Sequence, residues 1–247
     1  MIQVGIADYG MSVWDGGLFD YEERVRSVKE IGYNGLERLE AQSAEDAIHK
    51  AARVHRMGMD FATCRVPSPE LTIQYTAALG KKYVWTAVTG KDFDTFCRQV
   101  NFQAKICKNW GIDVALHNHL GSLVETQAQL LAFLEACPDC KLVLDTGHLG
   151  AAEGGDPLYI LEHYFDRIVT VHVKDWMSTN PGAGEWYERG YFCELGGGNT
   201  PIPNREVIQE LVRRGFDGWL CVEHDTHLRD PLVDLSVSRE FIRRAGV

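Results

Sequence analysis

The 247-residue chain has no apolar run approaching the roughly 20 residues that a bilayer-crossing helix needs. No run of Lys or Arg is longer than two; Lys81-Lys82, Arg213-Arg214 and Arg243-Arg244 all sit where helical patterns end. With a formal net charge of −10 the surface repels phosphate polymers, so nucleic acid is not an expected partner. A phosphate-cradling glycine turn is missing: the first strand-like run leads into Asp8-Tyr9-Gly10-Met11-Ser12, which is no GxGxxG, and Gly196-Gly197-Gly198 follows no strand-to-helix turn. Nor is there a GxSxG nucleophile signature. Seven cysteines, an odd number at irregular spacing, exclude a disulfide framework and fit a reducing compartment. Cys137-Pro138-Asp139-Cys140 is a lone CxxC in a helix-to-strand turn and reads as two incidental thiols. The opening Met1–Ile6 lacks the basic and apolar regions of a secretion signal and reads as a strand, so the expected location is cytoplasmic.

What is present is an alternation of short apolar runs with helical periodicity from one end to the other. Strands are predicted at Ile2–Asp8, Gly35–Glu40, Met59–Val66, Tyr83–Thr89, Ile112–His117, Leu142–Asp145, Ile168–Val173 and Trp219–Glu223. Helices are predicted at Tyr21–Ile31, Ala44–Met57, Glu70–Leu79, Phe93–Trp110, Thr126–Ala136, Leu158–Tyr164, Glu206–Arg214 and Leu232–Arg244. Gly32, Gly58, Gly80, Gly111 and Gly215 each follow a helical pattern, where a residue with positive φ commonly ends the helix. Eight strand–helix units in this length predict one (β/α)8 barrel, a single domain over residues 1–247. The spacing breaks once: Asp175–Pro201 separates the seventh strand from its helix, with Trp176, Trp186, Tyr187, Tyr191 and Phe192. A loop of that length on the carboxyl face is expected to line or cover a site, with the glycine triplet as its hinge.

Four segments at strand ends carry groups able to bind a cation: His117-Asn118-His119, Asp145-Thr146-Gly147-His148, His172-Val173-Lys174-Asp175 and Glu223-His224-Asp225. Residues two apart share a face of a strand, so His172 points with Lys174, His117 with His119, and Cys221 with Glu223 and Asp225, opposite Val171, Val173, Leu220 and Val222. In a barrel the apolar set faces the helices and the polar set meets at one mouth. Imidazole and carboxylate without thiolate suit one divalent ion among manganese, cobalt, zinc, magnesium and iron. Glu37, Arg38 and Arg65, at the ends of the second and third strands, are candidates to bind substrate hydroxyls; Trp14 and Trp176 are candidates to pack on the substrate.

The strings Leu144-Asp145-Thr146-Gly147-His148, Asp166–Asp175 and Gly218–Glu223 resemble the xylose isomerase-like barrel superfamily, which holds sugar isomerases and epimerases, dehydratases and type IV endonucleases. His117-Asn118-His119-Leu120-Gly121 with Val124-Glu125-Thr126 looks most like the inosose dehydratase-like branch. The resemblance implies that Asp145, His172 and Glu223 are metal ligands and that His148 and Lys174 line the substrate pocket. It departs at the fifth strand, where family epimerases carry a ligand Glu and this chain has His117; either His117 takes the fourth ligand position or Glu125 reaches in from the next loop.

The chemistry implied is removal of a proton next to a metal-polarised carbonyl of a keto-sugar or keto-cyclitol. His117, His119 or Glu223 would be the base, His148 the acid of a dehydration, and Lys174 the stabiliser of the enolate. One enolate serves isomerisation, epimerisation or dehydration. An endonuclease IV-like reading would need further histidines on the first four strands, which end without any. A catalytically silent sugar-binding barrel is the third reading. Partners are therefore a small polyol or keto-sugar, with no nucleic acid and no membrane, and the exposed apolar residues on the helices are compatible with a homodimer.

Overall fold

The computed structural model describes residues 1–7, 20–87, 91–223 and 228–247. Trp14, His224, Asp225 and the ends predicted for the first and fourth strands at Asp8 and Thr89 lie outside these residues. Eight strands form one parallel sheet: β1 Gln3–Ala7, β2 Gly35–Glu40, β3 Asp60–Arg65, β4 Tyr83–Trp85, β5 Asp113–His117, β6 Lys141–Asp145, β7 Ile168–Val173 and β10 Trp219–Glu223. The helices between them are α1 Tyr21–Ile31, α2 Ala44–Arg56, α3 Pro69–Ala78, α4 Phe93–Asn109, α5 Gln127–Ala136, α6 Thr146–Ala151, α7 Pro157–Tyr164, α9 Asn204–Arg213 and α10 Pro231–Ala245. This is the (β/α)8 barrel that the alternation predicts, with most boundaries displaced by a residue or two; the fourth strand is shorter than expected, ending at Trp85, and α6 is an additional helix that the alternation does not show.

Local chemistry starts and stops the helices. Asp20, Ser43, Ser68 and Asp92 each accept a hydrogen bond from an N–H of the first turn of the helix that follows. Thr126 and Gln129 form a reciprocal capping box at α5. The five glycines predicted to end helices all have positive φ, from 66° at Gly215 to 103° at Gly32.

The strand order is β3-β2-β1-β10-β7-β6-β5-β4, so β3 and β4 are the two edges that must meet for closure. No backbone ladder joins them among the described residues; Thr63 Oγ1, buried, donates instead to the Tyr83 carbonyl at 2.5 Å. Alternation holds along the strands: Val171, Val173, Leu220, Val222, Leu142 and Leu144 pack in the layer shared with the helices. The barrel floor is a smaller cluster of Ala62, Tyr83, Ala115 and Val143, with Trp85, Val169 and Trp219 against it. The Trp219 indole fits there because β1 and β2 offer glycines: a Cβ on Gly5 would lie 2.9 Å from its ring and one on Gly35 2.8 Å, with the Asp60 carbonyl nearer still to the latter.

The long segment after β7 is built rather than open. Its ends form an antiparallel pair, β8 Asp175–Ser178 with β9 Gly190–Cys193, and a short helix α8 Trp186–Arg189 lies between. Trp176, Phe192 and Leu120 make a small core under it, flanked by Trp186 and Ile202. The glycine triplet is a packed turn and not the expected hinge: Gly196 N–H donates to Asp175 Oδ2 at 2.7 Å, and a Cβ on Gly198 would come 2.7 Å from the Trp176 carbonyl oxygen.

The seven thiols are all free and buried. The turn holding Cys137 and Cys140 is closed by the Arg167 guanidinium, which donates to both of their carbonyls, so the CxxC spacing serves a backbone turn. Burial pushes the Cys64 thiol up to about 11, and burial does the same to Cys140 and Cys193, to about 12. Iodoacetamide at pH 8 is therefore expected to leave the native protein unmodified and to label all seven thiols in urea, by mass spectrometry. Replacing Gly35 by Ala is expected to cost about 1–3 kcal/mol, by overpacking against β3 and Trp219. Urea denaturation would show this as a lower midpoint at unchanged slope.

Candidate metal and catalytic centre

The carboxyl ends of β5, β6, β7 and β10, with Glu37 from the middle of β2, bring three carboxylates and three imidazoles together. His117, Asp145, His148 and Glu223 each present a ligand atom, all within 4.8 Å of one another, a group able to hold a metal ion. His117 Nε2 lies 3.1 Å from Asp145 Oδ2 and 3.8 Å from Glu223 Oε2. His172, wholly buried, sits just below: its Nδ1 is 3.2 Å from Glu223 Oε2 and 3.5 Å from Asp145 Oδ2. Its Nε2 is 3.0 Å from Glu37 Oε2, a contact angled outside hydrogen-bond geometry. Lys174, also fully buried, reaches the same oxygens, 2.6 Å from Glu223 Oε2 and 3.1 Å from Asp145 Oδ2. The expected shared faces are thus observed for His172 with Lys174, and for His117 with His119, whose ring centroids are 5.7 Å apart.

Burial on this scale would keep isolated carboxylates protonated. Here it is overcome: against that burial, Lys174, with hydrogen bonds from His117 and His172, holds the Asp145 carboxyl well below the usual carboxylate range, and Lys174 and His172 do the same for Glu223. Burial also opposes charge on His172, but Glu37 and Glu223 hold that imidazole well above its ordinary value. His148 goes the other way, pushed well down by burial and by the Lys174 charge. His117 is likewise lowered, chiefly by burial.

Other expected residues divide. Glu37 belongs to the cluster but faces inward, accepting from Trp85 Nε1 at 3.0 Å and from Tyr83 Oη at 3.4 Å while it flanks His172. Arg38 lies 4.0 Å from Glu37 Oε2 with its guanidinium 4.5 Å from the Trp85 ring. Arg65 is not brought in: at the last position of β3 its half-exposed side chain turns out to Glu40, 3.4 Å away. Glu125 also stays away, because its carboxylate accepts from the Gly121 N–H of its own loop at 2.9 Å. Trp176 is buried beneath the hairpin, 4.8 Å from Phe192 between ring centroids. Phe192 itself reaches the centre, 4.6 Å from His148 and 4.3 Å from the Lys174 nitrogen.

His119 faces outward over this group. Its Nδ1 is 2.6 Å from the Leu120 carbonyl oxygen, which can only accept, so Nδ1 carries the proton and neutral His119 keeps its lone pair on Nε2. The ring lies against His148, centroids 3.7 Å apart and planes tilted by 39°, and meets Trp186 edge-on at 5.8 Å.

Two asparagines hold the ligands in register and escaped the sequence reading as functional parts. Asn118 bridges β5 to β6 by donating to the Asp145 carbonyl at 3.0 Å and accepting from the Asp145 N–H at 2.9 Å. Asn204, at the start of α9, donates to the Lys174 carbonyl at 3.0 Å and to Asp175 Oδ1 at 2.6 Å, and accepts from Thr146 Oγ1 at 2.5 Å. Asn118 could have been suspected from its place between two histidines; nothing local in the sequence marks Asn204. Asp145 Oδ1 is committed too, capping α6 through the His148 N–H at 2.7 Å. This leaves Oδ2 to face the centre. Two carboxylates and several imidazoles converging without thiolate form a donor set that fits a divalent cation.

A model of the xylose isomerase-like TIM barrel family matches residues 69–245. An inosose dehydratase of Histophilus somni (strain 129Pt) is 28% identical over 206 residues, 78% of this chain and 68% of that protein. An inosose dehydratase of Bacillus velezensis is 29% identical over 164 residues, 62% of this chain and 54% of that protein. The chain therefore spans between about half and two thirds of the length of these curated relatives. The solved structure of an L-ribulose 3-epimerase superposes with a TM-score of 0.74 at 19% identity, over 99% of this chain and 94% of that one, a likeness of fold.

Replacing Asn118 by Ala would leave the Asp145 N–H buried without its partner. A loss of about 1–3 kcal/mol in unfolding free energy is expected, measurable by denaturant titration, with Asn118→Asp recovering part of it.

Proposed function

The chain belongs to the xylose isomerase-like TIM barrel family, and on that premise we propose that it is a divalent-metal-dependent enzyme that removes a proton next to the carbonyl of a keto-sugar or keto-cyclitol. The observation that carries this reading is the convergence of His117, Asp145, His148 and Glu223 within 4.8 Å, with Lys174 and His172 on the same oxygens. Of the outcomes open to such an enzyme we favour dehydration, because the two curated relatives are named inosose dehydratases. The ion would be held by His117, Asp145, His172 and Glu223, leaving His148 to the substrate; Glu125 is the weaker fourth candidate because its carboxylate is engaged in its own loop. When bound, such an ion supplies Lewis acidity toward the carbonyl and a neighbouring hydroxyl.

The chain's own groups supply the rest. His119 Nε2, with its lone pair held outward by the Nδ1 contact, takes the proton from the carbon next to the carbonyl. The electron pair left behind forms the enolate, and expulsion of the β-hydroxyl turns it into a carbon–carbon double bond. The leaving oxygen takes up the proton that His119 removed, relayed through the adjacent His148 imidazole, and departs as water, so the reaction is a net loss of H2O and both imidazoles return to their starting state. Lys174 stabilises negative charge on the enolate oxygen. His148, whose ring lies 3.7 Å from that of His119, hydrogen-bonds to the hydroxyl that leaves. Trp186 and Phe192, carried by the segment after β7, shield this chemistry from water.

No helix among the described residues is long and apolar enough to cross a membrane. The free thiols and the negative net charge fit a cytoplasmic enzyme of small polyols that does not bind nucleic acid.

Proton exchange in D2O is the first test, because isomerisation, epimerisation and dehydration share the same abstraction. Protein loaded with manganese or cobalt, offered an inosose and a set of ketoses, is expected to exchange the proton next to the carbonyl and to lose water from the inosose, both read by NMR. His119→Asn is expected to slow exchange by about 10²–10⁴-fold while keeping its metal; unchanged exchange would remove His119 from the role of base. By elemental mass spectrometry, Glu223→Ala and His172→Ala are expected to lose metal and Glu125→Ala to retain it. Loss from His148→Ala with retention by His172→Ala would exchange the roles of those two histidines.

A further inference from the structure

Asp145 Oδ2 and Glu223 Oε2 are crowded with donors. Oδ2 has His117 Nε2 and Lys174 Nζ both at 3.1 Å and His172 Nδ1 at 3.5 Å; Oε2 has Lys174 at 2.6 Å and His172 at 3.2 Å. A carboxylate offers about four lone-pair positions over its two oxygens, and Asp145 Oδ1 is already used by the α6 cap. A cation bound at these oxygens must displace something. The imidazoles can change role from donor to ligand, since a neutral ring keeps a lone pair. The ammonium of Lys174 cannot: it has only donors.

We propose that Lys174 is an internal counter-cation that competes with the divalent ion for the same two carboxylate oxygens, holding the centre assembled until the ion takes its place. This deepens the metal-dependent reading of the site and rests on it. The local packing is built for the lysine. Its stem lies against Gly147, where a Cβ would fall 2.3 Å from Lys174 Cγ, so α6 can begin there only with glycine. Its backbone carbonyl is held by Asn204 at 3.0 Å, which fixes the start of the stem. The Phe192 ring, 4.3 Å from the nitrogen, gives the displaced cation a second partner inside the site. Burial gives the reason for such a residue: Asp145 and Glu223 are fully or almost fully withdrawn from water, and the Lys174 nitrogen touches an oxygen of each. Withdrawal of Lys174 on metal binding would then turn its ammonium toward the substrate oxygen that it is proposed to stabilise.

The test compares wild type with Lys174→Met and Lys174→Gln, each stripped with chelator and titrated with manganese by calorimetry, with thermal unfolding measured before and after. Both variants are expected to bind manganese roughly ten- to a hundredfold more tightly, the range in which groups touching metal ligands tune affinity. Their stripped forms are expected to melt lower than stripped wild type. Folded variants that bind manganese equally or more weakly would overturn the proposal. Wild type that binds no manganese would instead defeat the metal-dependent reading itself, so the two failures are distinct. A variant that precipitates when stripped but is recovered by manganese supports the proposal. Should both variants fail to fold in either condition, ¹⁵N NMR of the wild-type lysine ammonium decides. A Lys174 signal displaced by saturating zinc supports the competition, and one that does not move overturns it.

Discussion

The barrel mouth depends on one balance of charge. Glu37, Asp145 and Glu223 are withdrawn from water at the top of a parallel sheet, and the Lys174 nitrogen and the His172 ring stand between them. Removing one partner of a buried pair costs several kcal/mol because a charge is left uncompensated. The supporting structure follows from that risk. Asn118 and Asn204 bind the backbone of Asp145 and Lys174, and the α6 cap fixes one Asp145 oxygen. Each brace removes a freedom that would let the charges drift apart.

The architecture was legible because it is written in period. Runs such as Ile168–Val173 and Trp219–Glu223 are buried on both faces, and all five helix-ending glycines lie where positive φ is required. Strand ends told where chemistry would gather, because alternation sends His172 and Lys174 inward while Val171 and Val173 meet the helices. What the pattern could not carry was reach. Arg65 and Glu125 stand at suitable places in the sequence, but one turns out to Glu40 and the other back to Gly121. Glu37, expected to meet substrate, instead lies beneath His172. The small size of Gly147 reads as a turn signal, and only the threading of Lys174 beside it gives the reason. The hairpin after β7 was missed because Asp175–Ser178 and Gly190–Cys193 are too short and too mixed to show a strand period.

That hairpin ties coverage of the mouth to its contents. Phe192 touches both His148 and the Lys174 nitrogen, and Trp186 meets His119 and His148 from above. The aromatic groups are held by their own small core with Trp176 and Leu120, and the glycine turn locks its base to Asp175. Phe192 is thus the hairpin residue that touches the cation standing on the carboxylates.

The contact between Thr63 and Tyr83 gives the barrel a different mechanical character from a ring closed by ladders throughout. Among the described residues β3 and β4 are joined through a side chain, so the sheet is a split collar: one seam lacks a ladder, while parallel ladders run from β3 around to β4. The charged centre is built on β5, β6, β7 and β10 with Glu37 from β2, so most of its groups stand on the wall away from that seam.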